Sequence, residues 1–131
     1  MSDLELEAKM RESALNAYGR LPPFIRSGAK PDIKAQIADE AKLIVDGARR
    51  KNYGAPENNF ERIARFWTAY LINTGKLAPG ADETHIRASD VSPMMRLMKE
   101  ARLCETPDHY DSHVDLVGYA LTGAEVNGVK K

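Results

Sequence analysis

Cysteine is almost missing from this chain. Cys104 has no second cysteine to pair with, which excludes an internal disulfide and fits a reducing cytoplasm. Net charge is missing too: 19 Lys and Arg balance 19 Asp and Glu. That argues against a protein that coats a polyanion, and no recognition helix is evident, so nucleic acid is the weakest partner class. A local basic pocket remains compatible with neutrality. No apolar run approaches the ~20 residues of a membrane span. The opening MSDLELEAKMRE lacks the apolar core of a signal peptide. Neither GxxxxGK[ST] nor GxGxxG occurs, so P-loop and Rossmann readings fail. Strand alternation, repeats and low-complexity tracts are absent as well. These absences leave a cytosolic, soluble chain of 131 residues, enough to bury one core.

What is present is helical spacing. Ser2 and Glu5 have the spacing of a capping box, and Gly19 with Pro22-Pro23 ends the first helix. Residues 1–30 read as this helix plus a Pro-rich arm, in which Phe24 and Ile25 could pack on a neighbouring subunit. Residues 31–126 read as the folded domain and 127–131 as a tail that frays. Pro31 and Asp32 suit the start of a second helix running to about Arg50, through Ile33, Ile37, Ala41, Ile44 and Val45. A third, about 56–73, carries Phe60, Ile63, Ala64, Trp67, Tyr70 and Leu71, and stops at Gly75.

Ser89 or Asp90 can cap a fourth helix, about 90–104, which places Pro93 in its first turn. Its apolar surface is Met94, Met95, Leu97, Met98, Ala101 and Leu103, with Cys104 as a small core residue. Thr106-Pro107-Asp108 signals the start of a fifth, about 107–126, acidic at its head and apolar behind it. The fold class is therefore all-α: a five-helix, bundle-like single domain.

Four groups of residues could carry chemistry. Glu57 and Glu61, four apart, share a helix face, and so do Asp111 and Asp115. If the two pairs meet, their oxygens suit a hard cation such as Mg²⁺. The plainer explanation of each pair is the helix dipole, with Glu61 also placed to pair with Arg65. Lys99 and Arg102 could hold phosphates or reach solvent. Arg49, Arg50 and Tyr53 at a helix exit, with Asn58 and Asn59 beyond, could cradle a base or phosphate. The Arg pair could equally complement the C-terminal end of its helix. His109 and His113 lack the glutamate and cysteine neighbours of a zinc helix.

Three segments carry a resemblance: NYGAPENNFERIARFWTAYL (52–71), DVSPMMRLMKEARL (90–103) and DSHVDLVGYALTGAE (111–125). In that order they resemble a family of small phage and prophage proteins of uncharacterised function, the DUF6378 domain, from about Ile37 to Val126. Such domains are similar to all-α nucleotide pyrophosphohydrolases of the MazG and dimeric dUTPase type. The resemblance implies Mg²⁺ held by Glu57, Glu61, Asp111 and Asp115, with Glu61 and Asp115 serving catalysis. Both pairs depart from those enzymes in being spaced i,i+4 rather than i,i+3.

The resulting expectation is a nucleotide-binding protein, with Mg²⁺-dependent hydrolysis of a nucleoside triphosphate as its enzymatic form. Lys99 and Arg102 would contact phosphates, and Arg49 and Tyr53 the rest of the ligand. The alternative is a non-catalytic module that sequesters a nucleotide or binds another protein. A homo-oligomer is expected in either case.

Overall fold

A computed structural model describes residues 2–17, 32–78, 80–82 and 85–131. The chain is all-α, with no strand among these residues. The helices are α1 (Asp3–Ala17), α2 (Ile33–Asp46), α3 (Ala48–Tyr53), α4 (Pro56–Asn73), α5 (Ala88–Glu105) and α6 (Tyr110–Val126). The Pro-rich arm lies outside the described residues. No helix among them is long and apolar enough to cross a membrane.

Local chemistry sets most helix ends. Ser2 and Glu5 form the expected box: Ser2 N–H donates to Glu5 Oε2 at 2.9 Å, and Glu5 N–H to Ser2 Oγ at 3.2 Å. Asp32 caps α2 by accepting from Ala35 N–H at 2.8 Å. Helix α4 stops in a Schellman turn at Gly75, whose φ of 70° lies in the left-handed region. Gly75 N–H donates to Ile72 O, and Lys76 N–H to Leu71 O. Gly128 ends α6 in the same way, with Val129 N–H donating to Ala124 O, so the helix end is capped as far as Val129.

Other boundaries correct the sequence reading. The second helix does not run unbroken to Arg50. Gly47 adopts φ −98°, ψ −109°, which ends α2 and starts the separate short α3. Helix α5 begins at Ala88, not Asp90, because Asp90 acts from inside and accepts from Arg87 N–H at 2.8 Å. Pro93 consequently lies beyond the first turn, inside the helix. Helix α6 starts at Tyr110 with His109 as its cap: Nδ1 accepts from Ser112 N–H at 3.3 Å.

The core gathers Phe60 and Ala64 of α4, Ile86 and Val91, with Ile63, Trp67, Leu71, Met95 and Tyr119 packed around them. Thr68 ties the incoming loop to α4 by accepting from Ile86 N–H at 3.0 Å. Ala41 and Val45 of α2 and Val114 of α6 are also buried. Helix α6 is the central element, packing against α5, α2 and α4.

The buried face of α5 is not the predicted methionine stripe. It carries Val91, Ser92 and Lys99, while Met94, Leu97 and Met98 are exposed. Cys104 is exposed too, not a core residue. On α6 the fully buried positions are small: Ser112, Val114, Gly118, Thr122 and Gly123. Small residues let neighbouring helices approach closely, and Ser92 Oγ donates to Tyr119 O across that contact at 2.6 Å. Tyr70 and Ile33, expected on buried faces, are exposed at 60% and 56%.

Candidate functional site

The two acids at the head of α6 are held by cations of the chain itself. Lys99 Nζ reaches across from α5 to Asp115 Oδ2 at 2.6 Å. Arg49 of α3 approaches the other oxygen, Oδ1, at 3.5 Å. The Arg49 guanidinium also lies over the Tyr119 ring, 5.3 Å from its centroid, a cation–π placement. Asp115 thus joins α3, α5 and α6, and the break at Gly47 is what turns α3 so that Arg49 arrives there.

Asp111, one turn earlier, belongs to a different cluster. Arg11 of α1 bridges Asp111 and Glu40, with its Nε 3.2 Å from Glu40 Oε1. Tyr110 donates its hydroxyl to Glu40 Oε2 at 2.6 Å. Partial burial acts to lower the Arg11 pKa, but hydrogen bonding to Asp111 and the charges of Glu40, Asp111 and Glu7 outweigh it and raise it. Burial, then the Glu40 bond and charge, push the Tyr110 hydroxyl up to about 12.

Glu57 and Glu61 lie exposed at the start of α4, and Glu61 is taken by Arg65 at 2.7 Å. No group of three or more His, Cys, Asp or Glu able to hold a metal occurs among the described residues. The structure therefore does not gather Glu57, Glu61, Asp111 and Asp115 into one cation site. The contacts of Glu61, Asp111 and Asp115 with Arg65, Arg11, Arg49 and Lys99 are the ion pairs of a scaffold, a poor fit to Mg²⁺. Lys99 is buried, whereas Arg102, three residues on, is exposed. His109 and His113 are engaged locally, His113 Nε2 with Pro107 O at 2.9 Å.

The structure does form a pocket beside Arg49. Its volume is about 340 Å³, at the small end of the ~300–1,000 Å³ typical of ligand sites. Arg49, Arg50 and Tyr53 of α3 make one wall and Asn59, Phe60 and Ile63 of α4 another. Val91 and Met95 form the base, with Tyr119 and Thr122 from α6. Arg50 is held at the rim by Glu125, 2.5 Å away. The Glu125 hydrogen bond and charge raise its pKa against the effect of desolvation.

Arg49, Tyr53 and Asn59 were legible as candidates from their clustering around the Tyr53-Gly54 exit. Tyr119 and Glu125 were not: the first reads as core in an apolar tract, and the second lies 75 residues from Arg50.

Fold and pocket define a small all-α domain with an aromatic, arginine-walled cavity. The chain belongs to the family described as "Domain of unknown function (DUF6378)", whose profile it matches over residues 36–127. The Gene 55 protein of Mycobacterium phage D29 is 40% identical over 84 residues, which cover 64% of this chain and 48% of that protein. The Gene 55 protein of Mycobacterium phage L5 is 39% identical over the same length, 64% of this chain and 47% of that protein. The chain thus spans about half the length of these curated relatives. No solved structure gives a significant match.

Proposed function

We propose that the chain is a binding module for a nucleotide-derived small molecule, and that it does not hydrolyse it. The observation that carries this reading is the pocket between α3 and α4. It offers the Tyr53 and Tyr119 rings for stacking, the Asn59 amide for a base edge and an apolar lining that includes Phe60, Val91 and Met95. In this reading Tyr53 and Arg49 contact the ligand directly. Lys99 contributes indirectly, by holding the carboxylate that Arg49 leans on.

The Mg²⁺-dependent pyrophosphohydrolase reading, with its likeness to the MazG type, needs the four acids to share a cation. Each of Glu61, Asp111 and Asp115 has instead a cationic side chain as partner, which argues for binding without turnover. The test is calorimetry with nucleosides and nucleotides, beside a pyrophosphate-release assay with Mg²⁺. Binding that Asn59→Ala weakens, with no release, supports the proposal. Release abolished by Asp115→Asn would restore the hydrolase.

A specific observation favours one other reading, a protein-interaction module. A shallow groove of about 530 Å³ between α5 and α6 is lined by Pro93, Leu97, Leu116, Val117 and Ala120, with Arg96 and Glu100 beside them. Leu97 is 68% exposed there. Self-association in light scattering, abolished by Leu97→Glu, would support a homo-oligomer built on that groove.

A further inference from the structure

The polar groups of the pocket fall into two sets, and the division carries information about the ligand. The charged set is already engaged. Arg50 is bonded to Glu125 at 2.5 Å, and the charges of Asp46 and Glu57 also bear on it. Arg49 lies between the Asp115 carboxylate and the Tyr119 ring. Lys99, the next cation behind it, is buried against the same Asp115. In the uncharged set only Thr122 is engaged among the described residues, its hydroxyl donating to Gly118 O at 3.1 Å. The Asn59 amide and the Tyr53 and Tyr119 hydroxyls have no hydrogen-bond partner among the described residues.

A polyphosphate entering here would lie beside Glu125 or Asp115, because each carboxylate already meets its arginine through Nη2. Like charges at that range repel, more strongly beside the half-buried Asp115 than beside the exposed Glu125. A neutral heterocycle meets no such obstacle, since it stacks on tyrosine and exchanges hydrogen bonds with an amide. The small volume points the same way.

Resting on the reading of this pocket as a nucleotide-derived ligand site, we infer that it selects the uncharged nucleobase and sugar, and discriminates against a polyphosphate chain. Its preferred ligand is a nucleoside rather than a nucleoside triphosphate. Glu125 and Asp115 are the residues that set this preference, by keeping the arginines occupied.

The experiment is calorimetry, or saturation-transfer NMR where binding is weak, on the full chain without added metal. The probes are adenosine, guanosine, cytidine, uridine and thymidine, each with its 5′-monophosphate and 5′-triphosphate. For whichever base binds, the triphosphate is expected to bind at least about tenfold more weakly than the nucleoside. Glu125→Gln, a change on the exposed face of α6, should then shift that ratio toward the triphosphate by about fivefold. A wild-type triphosphate that binds as tightly as the nucleoside overturns the inference and leaves the binding module standing. An unchanged ratio in Glu125→Gln overturns the assigned cause. No binding by any probe overturns the proposed function itself.

Discussion

Lys99 Nζ lies 2.6 Å from Asp115 Oδ2, and the Lys99 side chain is only 11% exposed. This pair fixes α5 against α6 and at the same time presents Asp115 to Arg49. An ion pair of this kind is more expensive to break than it is valuable to form, because removing one partner strands the other charge away from water. Asp115→Ala should therefore destabilise the chain by about 3 kcal/mol, below the upper end for fully buried pairs because Asp115 keeps some solvent contact. Lys99→Met combined with Asp115→Leu should recover more than half of that loss. Urea unfolding of the single and double variants measures both. Additive losses would show that the two charges are not coupled.

Two glycines of α6, facing different neighbouring helices, should respond oppositely to the same substitution. A Cβ at Gly123 would meet Ser92 Oγ at 2.5 Å and Ser92 Cβ at 2.8 Å, in a contact that Ser92 also fixes by its bond to Tyr119 O. Gly123→Ala should destabilise by about 1–3 kcal/mol through overpacking. A Cβ at Gly118 would meet only Val45 Cγ2, at an ordinary 3.6 Å. Gly118→Ala should stabilise by about 0.5–1 kcal/mol, because alanine loses less backbone entropy in a helix. Thermal unfolding of both variants checks the difference in sign.

Helix α1 exposes Leu4, Leu6 and Met10, so apolar packing does little to hold it. Its described polar links to the body are those of Arg11 to Glu40 on α2 and Asp111 on α6. Arg11→Gln should release α1 while leaving α4, α5 and α6 intact. In hydrogen exchange, the amides of 3–17 should lose protection and those of α6 should keep it. Added salt should weaken α1 in the wild type in the same direction, since the Arg11 side chain is 37% exposed and open to screening. Loss of protection throughout the chain would mean that α1 is integral to the core.

How much of this was legible in the sequence differs from residue to residue. Local signals read well: the Ser2–Glu5 box, the Gly75 stop and the all-α class depend on neighbours within a few positions. The face of α5 did not. Its apolar residues are abundant enough to suggest a core stripe at Met94, Leu97 and Met98. Burial is decided by α6, whose small residues admit Ser92 and Lys99 instead. The acidic pair of α6 stands out in the sequence. Its explanation needed Arg11, Arg49 and Lys99, which lie 100, 66 and 16 positions from their acids. Spacing along a chain gives no register between helices, so the sequence could mark the acids but not their partners.

Tyr110 offers a test of the Arg11 cluster through pH. Its hydroxyl donates to Glu40 Oε2 at 2.6 Å, and burial with that bond raises its pKa from 10.0 to about 12. The neutral phenol is the form that the folded chain favours. In the unfolded chain the group ionises near its ordinary value, so its contribution to stability is fully present below about pH 10. That contribution is lost as pH rises from there through about 12, as the unfolded state becomes the better proton donor. The phenolate absorbance of wild type minus Tyr110→Phe should show one tyrosine titrating well above 10.0. The stability of wild type should fall relative to Tyr110→Phe across the same window and run parallel to it below. A difference titration centred at 10.0 would show that Tyr110 is not held by Glu40.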